Sequence, residues 1–287
     1  DGKRFEKHPG GPVYHLEDDK RSVLTPTVLR NPDGSVLREN GKIRMWFGPG
    51  TLGGGGHTRL LAERVGPEGL VIALDRDPAA VDAAERNLAG LPVKPIAANF
   101  RDLPEMLAQL GHQAVDGVLL DLGLSSDQLA DESRGFSFGA EGPLDLRFDP
   151  QSGEPAWRLV DRLSAAHLTQ LIHRYGEERH GRRIAQAIVD QRHGSPIRSA
   201  RQLAELVRRC AGRSAGRQRI DPATRTFQAL RIAVNDELKS LEIGLRRVPE
   251  CLAPGAAFAV ISFHSLEDRR VKEAFRDDER LEALTKK

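Results

Sequence analysis

The sequence predicts an α/β fold, a doubly wound sheet of largely parallel strands interrupted by a helical insertion. Two compact apolar runs, Leu70-Val-Ile-Ala-Leu74 and Val115-Asp-Gly-Val-Leu-Leu120, each run into an acid, Asp75 and Asp121, and read as buried parallel strands. Helical patterns alternate with such runs up to Ser126 and again from about residue 222. Between them, residues 128–221 hold a Gly/Pro-rich loop and several helical segments without a convincing strand.

Taken in order, residues 1–41 are polar and rich in Gly, Pro and charge, and read as a flexible extension or a short hairpin around the turn Asn31-Pro-Asp-Gly34. Ile43, Met45 and Phe47 alternate as a first short strand. A glycine-rich turn from Gly48 to His57 leads into a helix over 58–65. Asp77 followed by Pro78 starts the next helix, because a carboxylate caps free N–H groups and proline needs no donor there. That helix is expected to reach about Leu88. Residues 93–100 form a weaker strand candidate, since Pro95 cannot donate to a ladder. Phe227, Leu230, Val234, Leu238, Leu241 and Leu245 recur at spacings of three and four, which predicts one long amphipathic helix. Pro254-Gly255 reads as a turn before a last apolar strand from Ala256 to Phe263. Residues 42–127 and 222–287 thus make the sheet domain, and 128–221 the insertion.

The chain has 287 residues, 39% of them apolar, enough for a packed core. No apolar run approaches the roughly 18 residues of a membrane span, and no charged-then-apolar leader opens the chain. Cys210 and Cys251 are isolated, which argues against a disulfide framework or a metal site and for a reducing cytoplasm. The net charge of +2 hides an asymmetry. Eleven arginines between Arg179 and Arg219 face two acids, Asp190 and Glu205, so this stretch carries +9 and the remainder −7. Such a local excess points to a polyanion partner.

Gly48, Gly50 and Gly53 spell GxGxxG between a strand and a helix, and Asp75 follows 22 residues after Gly53 at the tip of the next strand. Glycines let the backbone approach a ligand and the acid accepts hydrogen bonds from ribose hydroxyls, so a Rossmann-like nucleoside site is expected. These residues alone leave a nicotinamide cofactor and adenosylmethionine both open. Asp121 ends its own strand, and in open α/β sheets strand ends of this kind converge on one crevice.

Eight segments then stand in order: Thr51-Leu-Gly-Gly-Gly-Gly-His57, Leu74-Asp-Arg-Asp-Pro78, Leu120-Asp-Leu-Gly-Leu-Ser-Ser126, Arg134-Gly-Phe-Ser-Phe138, Gly142-Pro-Leu-Asp-Leu-Arg147, Tyr175-Gly-Glu-Glu-Arg179, Thr224-Arg-Thr-Phe-Gln-Ala-Leu-Arg231 and Ser262-Phe-His-Ser-Leu-Glu-Asp-Arg269. Together, over about residues 51–275, they resemble the bacterial and organellar enzymes that methylate N4 of a cytidine in small-subunit ribosomal RNA. The resemblance implies a Rossmann-like methyltransferase sheet and S-adenosyl-L-methionine as cofactor. It places the cofactor against Gly55, Gly56, His57, Asp75, Phe100, Asp121 and Gln128. Cytosine's exocyclic amine is a poor nucleophile because its lone pair is delocalised into the ring. A site that holds it in line with the methyl-sulfonium bond and accepts hydrogen bonds from N4 overcomes this, and Asp121, Asp145 and His264 are the candidates for that work. The insertion would be the RNA platform, with arginines for phosphates and with Phe136 and Phe138 as candidates to stack on bases. The expected partner is small-subunit ribosomal RNA or the assembled subunit, without a membrane, and a homodimer is admissible.

Both ends depart from that family. Gly48-Pro-Gly50 stands where its first strand ends in an acid, and its closing strands have no counterpart before Lys287. The expected sheet therefore lacks one or two edge strands and one cofactor contact. A rival expectation follows, a non-catalytic RNA- or ribosome-binding relative.

Overall fold

The computed structural model describes residues 23–25, 44–47, 55–139, 141–211 and 220–282. Among these, the strands are β1 (Val23–Thr25), β2 (Arg44–Phe47), β3 (Leu70–Asp75), β4 (Val93–Ala97), β5 (Val115–Asp121) and β6 (Leu252–Ser262). They form one sheet in the order β1-β6-β5-β2-β3-β4. Strands β2 to β6 pair in parallel, and β1 runs antiparallel to β6. β3 is buried along nearly its whole length, as a central parallel strand covered on both faces must be.

The edge beyond β6 is occupied: Val23 pairs with Ser262 and Thr25 with Val260. This pairing places a strand within the polar N-terminal extension, where the sequence assigned none. It also puts a strand from the N-terminal side where the sheet was expected to stop short. The Val-Leu-Thr run is too brief to show periodicity, but an open strand edge offers it a ladder of unpaired donors and acceptors. The turn at Asn31–Gly34 and the glycines 48, 50 and 53 lie outside the described residues.

The helices are α1 (Gly56–Val65), α2 (Pro78–Asn87), α3 (Leu103–Gln109), α4 (Ser126–Ala130), α5 (Ala156–Arg162), α6 (Ala165–Gly176), α7 (Gly181–Gly194), α8 (Ala200–Ala211), α9 (Ala223–Asn235), α10 (Glu237–Arg247) and α11 (Ser265–Asp277). The Asp77 side chain caps α2 by accepting from the Ala79 N–H at 3.1 Å, with Pro78 at the first helical position. β4 keeps Pro95 because it lies at the sheet edge.

Two further expectations are corrected. The long helix is two helices, broken at Asp236, which takes φ +53°. The apolar spacing continues across the break, because a left-handed residue redirects the helix axis without resetting which positions are apolar. β6 begins at Leu252 and runs through Pro254-Gly255, whose extra residues shift the register against β5 between Val115 and Gly117. Gly255 absorbs that bulge at φ +82°.

Two large apolar clusters result. One lies on the sheet and joins Ile72, Leu74, Val118, Leu120 and Phe258 to Leu103, Leu107, Leu241 and Leu245 of the covering helices. The other is built from α5 to α9 and includes Val160, Leu168, Ile172, Ile184, Ile188, Leu203, Val207, Phe227 and Leu230. Each fully buried aliphatic or aromatic side chain of this size contributes roughly 1.5–3 kcal/mol of transfer free energy, so both clusters are substantial cores. No helix of the described residues is long and apolar enough to cross a membrane.

Candidate active site

The strand order makes β2 the switch point, with β3 and β4 on one side and β5 and β6 on the other. Ligands of such sheets bind beyond the carboxyl ends of the strands at that point. The five parallel strands end at this edge, at Phe47, Asp75, Ala97, Asp121 and Ser262. After β2, the chain enters α1 through Gly55 at φ +75°, where a side chain would be strained and its Cβ would stand 3.3 Å from Leu88. Gly56 has open space where a Cβ would project. No side chain caps α1, so its first N–H groups and positive dipole end are left for an anionic group.

The structure brings two of the expected residues into direct contact. His57, in the first turn of α1, places Nδ1 3.1 Å from Oδ2 of Asp121 at the end of β5. The hydrogen bond to the Asp121 carboxylate raises the imidazole above its ordinary 6.5, against the opposing effect of partial burial. Asp121 keeps 13% of its side chain exposed, at the carboxyl end of β5.

Asp75 and Gln128 are joined through a third residue. Asp75 Oδ1 accepts the Asp77 N–H at 2.9 Å, and Asp77 Oδ2 accepts from Gln128 Nε2 and Arg134 Nη1, both at 3.0 Å. Gln128 also closes a capping box at α4: its Oε1 accepts the Ser125 N–H while Ser125 Oγ accepts the Gln128 N–H. Arg134 completes the cluster by donating to the Arg147 and Phe148 carbonyls at 2.8 and 2.6 Å. This buried pair ties the loop after β3 to the segment after β5, and sequence reasoning did not assign Asp77 and Arg134 to each other.

The remaining candidates sit in other surroundings. Phe100 is buried, with Gly244 of α10 so close that a Cβ there would stand 2.6 Å from its ring. Asp145 is held by its neighbour Arg147 in a two-pronged pair, Nε to Oδ1 and Nη2 to Oδ2, both at 2.7 Å. His264 caps α11, and its Nε2 stands 3.3 Å from Glu267 Oε1 without hydrogen-bond alignment. Behind it, Arg231 donates to both oxygens of Glu237, at 2.9 and 3.1 Å. Burial pushes the Glu237 carboxyl up, while the Arg231 charge opposes it.

Phe136 is buried and Phe138 is partly buried against α9, so neither is free as an exposed aromatic. Phe136 is 4% exposed and stacks on Phe148 with centroids 6.0 Å apart, and Phe138 meets the edge of Phe227 at 4.9 Å. Their Gly-flanked loop folds back on α9, and aromatic area of this size is worth more buried than exposed. Among the described residues the exposed phenylalanine is Phe263 instead, one residue past β6. An aromatic directly after a parallel strand was the sequence signal for it.

The arginine-rich stretch divides by role. Arg192 binds the Val160 and Leu163 carbonyls at 2.7 Å, and Arg208 pairs with Asp221 at 2.6 Å. Arg179, Arg182, Arg183 and Arg209 line an open concavity of about 1120 Å³ over α7 and α8. Among the described residues, no carboxylate pairs with these four side chains.

The sequence profile of the MraW methylase family matches residues 26–287. The chain is 54% identical over 228 residues to a protein of Thermomicrobium roseum, covering 79% of this chain and 69% of that one. It is 51% identical over 266 residues to one of Trichlorobacter lovleyi, covering 92% and 81%, and 51% identical over 243 residues to one of Deinococcus radiodurans, covering 84% and 75%. Each of the three is named ribosomal RNA small subunit methyltransferase H.

Proposed function

This chain belongs to the MraW methylase family, and on that premise we propose that it transfers a methyl group from S-adenosyl-L-methionine to N4 of a cytidine in small-subunit ribosomal RNA. The observation that carries the reading is the His57–Asp121 pair at the carboxyl edge, between the cofactor side of the sheet and β6. The alternative of a non-catalytic relative is set aside, because the family match runs through 26–287 and relatives at 50–54% identity are named methyltransferases.

The residues present suit the cofactor. The uncapped start of α1 offers N–H groups to a carboxylate, Gly55 and Gly56 let the backbone come close, and Asp75, buried at the tip of β3, is the expected acceptor for ribose hydroxyls. When bound, S-adenosyl-L-methionine supplies an electrophilic methyl on a sulfonium. Asp121 accepts a hydrogen bond from the N4 amine, which turns the amine's lone pair out of conjugation, and takes up the proton that N4 sheds. His57 holds Oδ2 so that the carboxylate keeps one orientation. Gln128, Asp77 and Arg134 fix the segment that follows Asp121.

Residues 128–221 serve as the substrate-recognition unit, packed around their own core to which α9 lends Phe227 and Leu230. The arginines over α7 and α8 that no carboxylate of the described residues neutralises suit RNA phosphates. The target cytosine leaves its stack to reach the crevice, at a cost of a few kcal/mol that is lowest in an open loop. A cytoplasmic setting and ribosomal RNA, naked or in the assembled subunit, fit this reading, and a homodimer is compatible with it.

Calorimetry with S-adenosyl-L-methionine, followed by transfer of labelled methyl to small-subunit RNA and to assembled small subunits, tests it. Micromolar binding that is lost in Asp75→Ala, and label recovered as N4-methylcytidine, are expected. A folded chain that binds no cofactor overturns the reading.

A further inference from the structure

We propose that Phe263 is the platform on which the target cytosine stacks, an assignment that rests on the methyl-transfer reading above. A single exposed apolar side chain is ordinary on a protein surface. What singles out Phe263 is its place, its support and its rigidity.

Its place follows from the strand order. β5 and β6 pair with Asp121 opposite Ile261, and the Leu122 N–H still donates to the Ile261 carbonyl at 3.1 Å. Phe263 therefore emerges at the same carboxyl edge as Asp121, one strand over, about 4.8 Å away in the pairing direction. The cofactor residues Gly55, Gly56 and Asp75 belong to β3 and to α1, which follows β2, on the other side of β5. A base whose N4 meets Asp121 has the cofactor on one flank and Phe263 on the other.

The ring's support is Gly123, which takes φ +94° and leaves the space where a Cβ would come 3.4 Å from the ring's Cδ2. The rest of Phe263 is open, with the residue 53% exposed. Its rigidity comes from the backbone: the Phe263 N–H donates to Oε2 of buried Glu267 at 3.0 Å, and the next residue, His264, caps α11. An exposed phenyl held on a fixed backbone loses little freedom when a base covers it, which favours stacking over a mobile side chain.

Phe263→Ala, Phe263→Leu and Phe263→Trp separate stacking from bulk. Methyl transfer to small-subunit RNA is measured beside calorimetric binding of S-adenosyl-L-methionine, with the wild-type chain as reference. The Ala and Leu variants are expected to lose about 10- to 100-fold in kcat/KM, the span of one base–aromatic stack. The Trp variant is expected to stay within about threefold of wild type, and all three to keep cofactor affinity. Unchanged kcat/KM in the Ala variant overturns the assignment, as does recovery by Leu. So does a loss of cofactor affinity that matches the loss of turnover. An inactive wild-type chain instead sinks the methyl-transfer reading itself.

Discussion

His57 and Asp121, 64 residues apart in sequence, stand 3.1 Å apart at the head of the sheet. The pair joins the first turn after the glycine-rich loop to the end of the central strand β5. It brings a residue expected to face the cofactor and one expected to face the substrate into one unit, so a change in either is felt by both.

Asp121→Asn retains the shape and one acceptor but removes the charge that polarises N4 and partners His57. Turnover is expected to fall about 100-fold or more, comparable to the loss of one preorganised electrostatic contact, with the cofactor still bound. Single-turnover methyl transfer beside calorimetry checks this; full activity would remove Asp121 from the chemistry.

The same pair carries a pH dependence. The folded imidazole of His57 titrates above its ordinary 6.5, so the stabilisation it brings is fully present below 6.5 and is lost as pH rises through the folded value. An NMR titration is expected to place the His57 midpoint above 6.5 in the wild type and lower in Asp121→Asn. The stability gap between the two proteins is expected to narrow on going from mildly acidic to alkaline buffer.

Arg134→Ala leaves the buried Asp77 carboxylate without its cation and two carbonyls without a donor. Removing one partner of a buried ion pair costs about 3–5 kcal/mol. Urea unfolding is expected to show a loss of unfolding free energy of that order, and cofactor affinity falls as the segment after Asp121 loosens. A loss under about 1 kcal/mol would contradict the buried network.

Gly176 ends α6 where a Cβ would stand 2.4 Å from the Arg225 carbonyl of α9. Backbone atoms cannot rotate aside, so Gly176→Ala forces α6 and α9 apart at a cost of about 1–3 kcal/mol. Thermal melts measure this, and the loss is expected to exceed that of Gly194→Ala, where a Cβ meets nothing within 4 Å.

Much of the fold was legible without coordinates. Leu70–Asp75 and Val115–Asp121 announced themselves as apolar runs closed by an acid, and Asp77-Pro78 as a helix start, because burial pattern and capping act within a few neighbouring residues. The family segments named His57 and Asp121, which the fold brings into contact. The chain could not announce Val23–Thr25 as a strand, since three residues have no period and the edge of β6 had to be there first.

By itself the sequence determined which residues end strands, start helices and face a core, since those choices depend on local spacing and on transfer from water. Only the tertiary structure decided partners. It set His57 on Asp121, Arg134 on Asp77, and Glu177 against both Ser265 and Arg269 of α11. It also buried Phe136 and left Phe263 in the open. A polar side chain reaches only a few ångströms and an aromatic ring buries whichever face another element covers. Both outcomes therefore depend on how distant elements approach one another, which no stretch of neighbouring residues encodes.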